Sequence, residues 1–157
     1  MPKEQYSHRF TWSHLNPLQV GRYAEYYAKM EFTVSGFEVY EPEVDARGVD
    51  FIIRNSSGRF YEIQVKSHRG MKYIFFPKSK FQLSANLYAL IVLFFEGEEP
   101  QLCLIPSEAW LHLDSLFKSR NYPGLKSPPE WGLELSRKNL PELERYEYHK
   151  TVENLLR

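Results

Sequence analysis

Two short segments of the chain bring together residue types suited to phosphodiester chemistry. Gly48-Val49-Asp50-Phe51-Ile52-Ile53-Arg54 and Phe60-Tyr61-Glu62-Ile63-Gln64-Val65-Lys66-Ser67 read as strands on either side of the turn Asn55-Ser56-Ser57-Gly58. Side chains alternate faces along a strand, so Phe60, Glu62, Gln64 and Lys66 share one face, and the apolar Tyr61, Ile63 and Val65 share the other. Asp50 opens the neighbouring strand between two apolar residues and reaches the same end of the sheet. A hard cation such as Mg²⁺ takes oxygen ligands, usually one or two carboxylates with waters. Asp50 supplies a carboxylate, Gln64 a neutral carbonyl oxygen, and the Val65 backbone a further one. Such a cation acidifies water and neutralises phosphate charge. Lys66 would orient the water or stabilise the oxyanion. The plainer alternative is that this row is the solvated side of an edge strand.

The elements that must position these residues follow from the flanking pattern. Pro17 to Thr33 predicts a helix, with Asn16 as N-cap, Pro17 at the first helical position and Gly36 past the end. On a helical wheel Glu25 falls with Leu18, Gly21, Ala28 and Phe32, a small and apolar stripe. A carboxylate there needs a partner. Arg22 or Lys29 would provide one; a metal shared with Asp50 is the functional alternative. Phe37 to Tyr40, Val49 to Arg54, Arg59 to Ser67 and Lys72 to Phe76 read as strands. Leu87 to Phe95 is apolar almost throughout, as in a strand buried on both faces, and pairs through Glu96-Gly97-Glu98-Glu99-Pro100 with Gln101 to Ile105. Ser107 is expected to cap a helix from Glu108 to about Lys118, with a loop over 121–131 and a last helix from Pro141 toward Leu156 behind Asn139. The order predicts an α/β fold, a mixed central β-sheet flanked by helices.

Glu25, Asp50 and Gln64-x-Lys66 together resemble the PD-(D/E)xK nuclease superfamily, in a Gln-x-Lys variant. In that superfamily an early helix carries a Glu, a following strand carries the Asp, and the next strand carries (Asp/Glu)-x-Lys. The resemblance spans about Pro17 to Ile105 and implies a restriction-endonuclease-like core over 17–105, followed by a C-terminal helical extension over 106–157 in one domain. It implies a Mg²⁺- or Mn²⁺-dependent endonuclease acting on DNA ahead of RNA. The implied catalytic residues are Glu25, Asp50, Gln64 and Lys66, with Glu25, Asp50 and Gln64 on the metal. Many members of such folds act as homodimers. Two departures stand out. Gln64 replaces an acid and removes one negative charge, which Glu62, one step back on the same face, would compensate. Val49 precedes Asp50 where a proline is expected. A catalytically weakened module that binds nucleic acid or protein is the alternative.

The remaining composition narrows the field. With 20 basic and 20 acidic residues the chain has no net charge, unlike a protein that coats nucleic acid. A local patch is still available: His68, Arg69 and Lys72 follow the Gln-x-Lys strand and would either hold phosphates or form a solvated loop. Cys103 is the single cysteine, which rules out an internal disulfide and fits a reducing cytoplasm; its apolar neighbours mark it as core. His8, His14, His112 and His149 show no paired ligand spacing for zinc. Tyr73, Phe75, Phe76, Trp110 and Trp131 read as packing residues. No apolar run is long enough to span a membrane, and the polar Met1 to His8 lacks the apolar stretch of a secretory signal.

Overall fold

The computed structural model describes residues 9–44 and 47–157. His8, Asp45 and the Met1 to His8 segment lie outside the described residues. Helix α1 (Pro17–Val34) starts on a reciprocal cap, in which Asn16 Oδ1 accepts from the Gln19 N–H and Gln19 Oε1 accepts from the Asn16 N–H. Two further contacts fix the segment that leads into it. Glu96 accepts the backbone N–H groups of Trp12 and Ser13, and Arg69 donates to the carbonyls of Trp12 and Leu15.

Five strands form the central sheet: β1 (Glu38–Tyr40), β2 (Phe51–Arg54), β3 (Phe60–Arg69), β5 (Leu87–Phe94) and β6 (Gln101–Pro106), in the order β1-β2-β3-β5-β6. The β3–β5 pair is parallel and the others are antiparallel, so the sheet is mixed. The β2–β3 hairpin closes as its composition predicts. Asn55 Oδ1 accepts the N–H groups of Ser57 and Arg59, while its amide donates to the Leu155 carbonyl. Gly58 supplies the positive φ of 89°.

The sheet has a core on each face. Strand β5 is apolar along its length because it serves both. Leu90, Val92 and Phe94 join one core with Ala24, Ala28 and Phe32 of α1 and with Val152 and Leu155 of α3 (Tyr148–Leu156). Ala89, Ile91 and Leu93 join the other. That second core is covered by a small antiparallel sheet, β4 (Tyr73–Pro77), β8 (Glu130–Glu134) and β7 (Phe117–Arg120), in the order β4-β8-β7.

The C-terminal third departs from the helical extension expected of it. Ser107–Leu111 is a short 3-10 helix, and the segment expected to continue it as α-helix ends in strand β7. Ser107 is buried inside that turn, where its hydroxyl donates to the Ser84 carbonyl and accepts the Ser84 N–H. Trp110 drives the difference. Its ring is buried among Phe76, Phe81 and Phe117, and its indole N–H donates to the Gly132 carbonyl at 2.8 Å. The last helix is likewise interrupted: α2 (Leu140–Leu143), a 3-10 turn Glu144–Tyr146, and then α3. Asn139 makes no side-chain cap there; its amide donates to the Ser115 and Glu134 carbonyls.

Candidate active site

Asp50 stands one residue before the β2–β3 pairing begins, where the two strands diverge. Its N–H donates to the Ile63 carbonyl at 2.9 Å, and its Oδ2 accepts the Val65 N–H at 2.6 Å. The carboxylate is thus held on the backbone of the Gln-x-Lys strand. The Gly48 turn sets this geometry. Gly48 has φ 80°, and a Cβ there would stand 3.1 Å from the Lys80 carbonyl and 3.7 Å from Gln64 Nε2. Only glycine combines that φ with so close an approach.

The alternation expected of β3 is present. Tyr61 and Ile63 belong to the core under α1, and Val65 packs against it. On the opposite face Gln64 is 7% exposed, and its Oε1 is buried without a hydrogen-bond partner. An orphaned buried carbonyl oxygen is uncommon, since buried polar atoms are almost always bonded. Lys66, two residues on, is half-buried, with its Nζ 5.5 Å from the centroid of the Phe76 ring. Burial pushes its ammonium below the usual lysine range, and the nearby Asp50 carboxylate pulls in the opposite direction.

Glu25 lines a cleft of about 350 Å³ together with Asp50, Val49, Arg22, Lys29 and Glu41. Its carboxylate lies 3.6 Å from the Arg22 guanidinium, so the ion-pair alternative is realised alongside the shared cleft. Lys29 pairs with Glu41 instead. The helix face differs from the wheel in one respect. Val20, Ala24, Ala28 and Phe32 are buried, whereas Leu18 is 86% exposed, which sets Glu25 at the border of the buried face. Gln64 and Lys66 do not line this cleft. Lys29 and Glu41 were not among the expected site residues. The four-residue spacing from Glu25 to Lys29 along one helix wall is the signal that finds the first of them.

The three basic candidates sit elsewhere. Ser67, His68, Arg69 and Lys72 line a cavity of about 240 Å³ with Pro17 and Val20, at the start of α1. The Arg69 guanidinium is occupied by backbone carbonyls, a structural clamp. Burial lowers the His68 pKa, and Lys72 and Lys66 lower it further. Among the aromatic candidates Phe76 and Trp110 are core, while Phe75 is 51% exposed, against its expected packing role. Cys103 is buried, with its thiol pushed up to about 12 by desolvation and by Glu147.

The donor set fits a hard divalent cation in kind: one carboxylate at the strand divergence, one unpartnered neutral oxygen and a second carboxylate in the cleft. Among the described residues no group of three or more His, Cys, Asp or Glu converges as a metal cluster. No family model matches the sequence, and no curated protein matches it. Solved structures do. A bacterial homing endonuclease superposes with a TM-score of 0.57 at 16% identity, over 90% of this chain and 91% of that one. Archaeoglobus fulgidus Hjc, a Holliday junction resolvase from an archaeal hyperthermophile, superposes with a TM-score of 0.51 at 12% identity, over 78% of this chain and 88% of that one. The chain has a restriction-endonuclease-like fold. The α/β expectation, a mixed sheet flanked by helices, is met. No helix among the described residues is long and apolar enough to cross a membrane.

Proposed function

We propose that the chain is a divalent-metal-dependent endonuclease that hydrolyses phosphodiester bonds of DNA. The observation that carries this reading is the orphaned Gln64 Oε1, buried on a strand whose backbone holds Asp50 and whose next outward residue is the desolvated Lys66. A buried acceptor without a donor is the state expected of a ligand atom awaiting a cation. The two superposed structures, one a homing endonuclease and the other a resolvase, support the same reading.

In this reading Asp50, Gln64 Oε1 and the Val65 carbonyl would hold Mg²⁺ or Mn²⁺, with Glu25 completing the set from the cleft wall. Bound there, the cation neutralises phosphate charge and acidifies water. Asp50 is pre-oriented by the Val65 N–H, so no carboxylate reorganisation is needed. Lys66, with its proton held less tightly than in water, orients the attacking water and offers a positive charge to the oxyanion. A homodimer, the arrangement of many members of such folds, would let two sites cut both strands of a duplex in one encounter.

The test is cleavage of linear, branched and single-stranded DNA with Mg²⁺, Mn²⁺ or EDTA, beside Asp50→Asn and Lys66→Met. Asp50→Asn keeps an acceptor for Val65 and should lower the rate by more than about a hundredfold, the scale of losing one preorganised electrostatic group. Activity that survives both substitutions would defeat the assignment. A second reading, a non-catalytic module that binds nucleic acid or protein, is favoured by the neutrality of Gln64, which leaves the strand pair one charge short. Metal-independent DNA binding with no cleavage in any arm would select it.

A further inference from the structure

A second cavity, of about 340 Å³, opens on the other side of Val49 from the Glu25–Asp50 cleft, and Val49 lines both. Most of its lining residues are polar, with Val49, Leu83 and Leu87 as the apolar part. Arg47 enters from the residue before the Gly48 turn, Lys80 and Ser79 from the 3-10 helix Lys78–Lys80, and Gln82 and Asn86 from the segment leading into β5. Glu62, on the same β3 face as Gln64, also lines it and lies 3.5 Å from the Arg47 guanidinium. Both cationic side chains belong to exposed residues.

This chemistry is selective. Two cations with neutral hydroxyl and amide groups, and no aromatic ring in the lining, match sugar and phosphate oxygens rather than base faces. The groove is also tied mechanically to the cleft, because the Gly48 turn packs on the Lys80 backbone while Asp50 follows two residues later. A strand laid in the groove would therefore keep a set register against the Asp50 carboxylate. In the other basic cluster the Arg69 guanidinium donates to the Trp12 and Leu15 carbonyls.

We infer that this groove is a sequence-independent track for the phosphodiester backbone of the strand entering the cleft, with Arg47 and Lys80 as its phosphate contacts. Glu62 is the element that tunes it: it holds Arg47 while the groove is empty and opposes a phosphate that enters. The inference rests on the nuclease reading for the identity of the strand. It concerns binding, which can be measured without catalysis.

The experiment is fluorescence anisotropy of labelled single-stranded and duplex oligonucleotides in EDTA, from 50 to 300 mM salt. It compares the wild-type chain with Arg47→Gln, Lys80→Gln, the double variant, Glu62→Gln, Ser79→Glu, and Lys72→Gln from the rival cluster. Each lost phosphate contact lowers the salt slope by about 0.9 on duplex and about 0.7 on single strands, which is about eightfold and about fivefold in affinity at 0.1 M salt. Arg47→Gln and Lys80→Gln should each show that change, and the double variant should show it twice. Glu62→Gln should bind more tightly and Ser79→Glu more weakly. Thermal unfolding of each variant separates misfolding from lost contacts, and Glu62→Gln predicts a gain that misfolding cannot imitate. The inference is overturned if the Arg47 and Lys80 variants keep the wild-type slope, if Lys72→Gln alone carries the loss, if Glu62→Gln weakens binding, or if no DNA binds. Cleavage with groove-independent binding would remove the groove and leave the nuclease reading standing. Groove-dependent binding with no cleavage in Mg²⁺ or Mn²⁺ would do the reverse.

Discussion

Replacing Gln64 by methionine separates the two roles that its buried oxygen can have. Without metal, Gln64 Oε1 is desolvated and unbonded. An unsatisfied buried acceptor costs about 1–3 kcal/mol. Methionine keeps a similar length, is unbranched and fills irregular space well. In EDTA, Gln64→Met should therefore be the more stable protein by about 1 kcal/mol or more, at least about 2–4 °C in Tm for a chain of this size. Divalent metal should reverse the order. A cation at a hundred times its Kd stabilises the state it binds by about 2.7 kcal/mol, which corresponds to about 5–10 °C. The wild-type chain should show that rise, and Gln64→Met only a remnant of it. The assay is thermal unfolding by circular dichroism, with Mg²⁺, Mn²⁺ or EDTA, for wild type, Gln64→Met and Asp50→Asn. Two results would refute the reasoning. A Gln64→Met protein less stable than wild type in EDTA would mean that Oε1 already has a partner. Equal metal-induced shifts in wild type and Gln64→Met would mean that Gln64 holds no metal.

Other substitutions probe the supports of the site. Asp50→Ala leaves the Val65 N–H without its acceptor and should cost about 1–3 kcal/mol by urea titration, whereas Asp50→Asn should cost less than half of that. Gly48→Ala forces a side chain into φ 80° and against the Lys80 carbonyl; it should cost about 1–2 kcal/mol or more from the backbone alone and depress cleavage as well, because Asp50 moves with the turn. The folded-state pKa of Lys66 lies below its unfolded value, so the unfolded chain binds more protons across that interval and stability rises as pH climbs toward 10.5. Lys66→Met should abolish that alkaline rise in a pH series of denaturation midpoints and should be more stable than wild type at neutral pH. Arg69→Ala should lose at least about 2 kcal/mol and expose residues near Trp12 to proteolysis, with DNA affinity nearly unchanged in the folded fraction.

Local pattern was enough to find the elements that hold the chemistry. The Asn16–Gln19 cap, the Asn55–Gly58 turn and the two-faced apolar run of β5 each express a short-range rule, and each is realised. Strand alternation separates Gln64 and Lys66 from the Tyr61, Ile63 and Val65 core face, whereas Asp50, expected inside a strand, stands one residue before β2. What failed was set by distant partners. Strand β8 overlaps the segment expected as a loop over 121–131, and at its Gly132 a side chain would overlap the Tyr73 ring lying across it, with the Tyr73 hydroxyl donating to Glu130 at 2.6 Å. Ser107 and Asn139 resemble helix caps in sequence and are instead spent on Ser84, Ser115 and Glu134, residues that only the fold brings near. Leu18 shares the wheel face of Glu25 in sequence, yet the first turn of α1 leaves it in solvent. The orphaned state of Gln64 was not legible at all, since it depends on how tightly the Gly48 turn and the second core close over it.

Cys103 gives the molecule a built-in clock. It is the chain's single cysteine, it lies in β6 beneath the α2–α3 segment, and it bridges to Glu147 across the sheet edge. With its thiol pushed up to about 12 and the residue 7% exposed at the wall of a cavity it shares with Leu143, Glu147 and Tyr148, the thiol should react with alkylating reagents faster when the C-terminal segment lifts from the sheet. Its modification rate therefore reports the opening free energy of that one seam with no added label, two strands from Lys66 in the row Lys66–Ile91–Cys103. Loading the site with metal or DNA should slow that clock only if the two ends of the central sheet move together, so a single native thiol can show whether this small fold opens in pieces or as a unit.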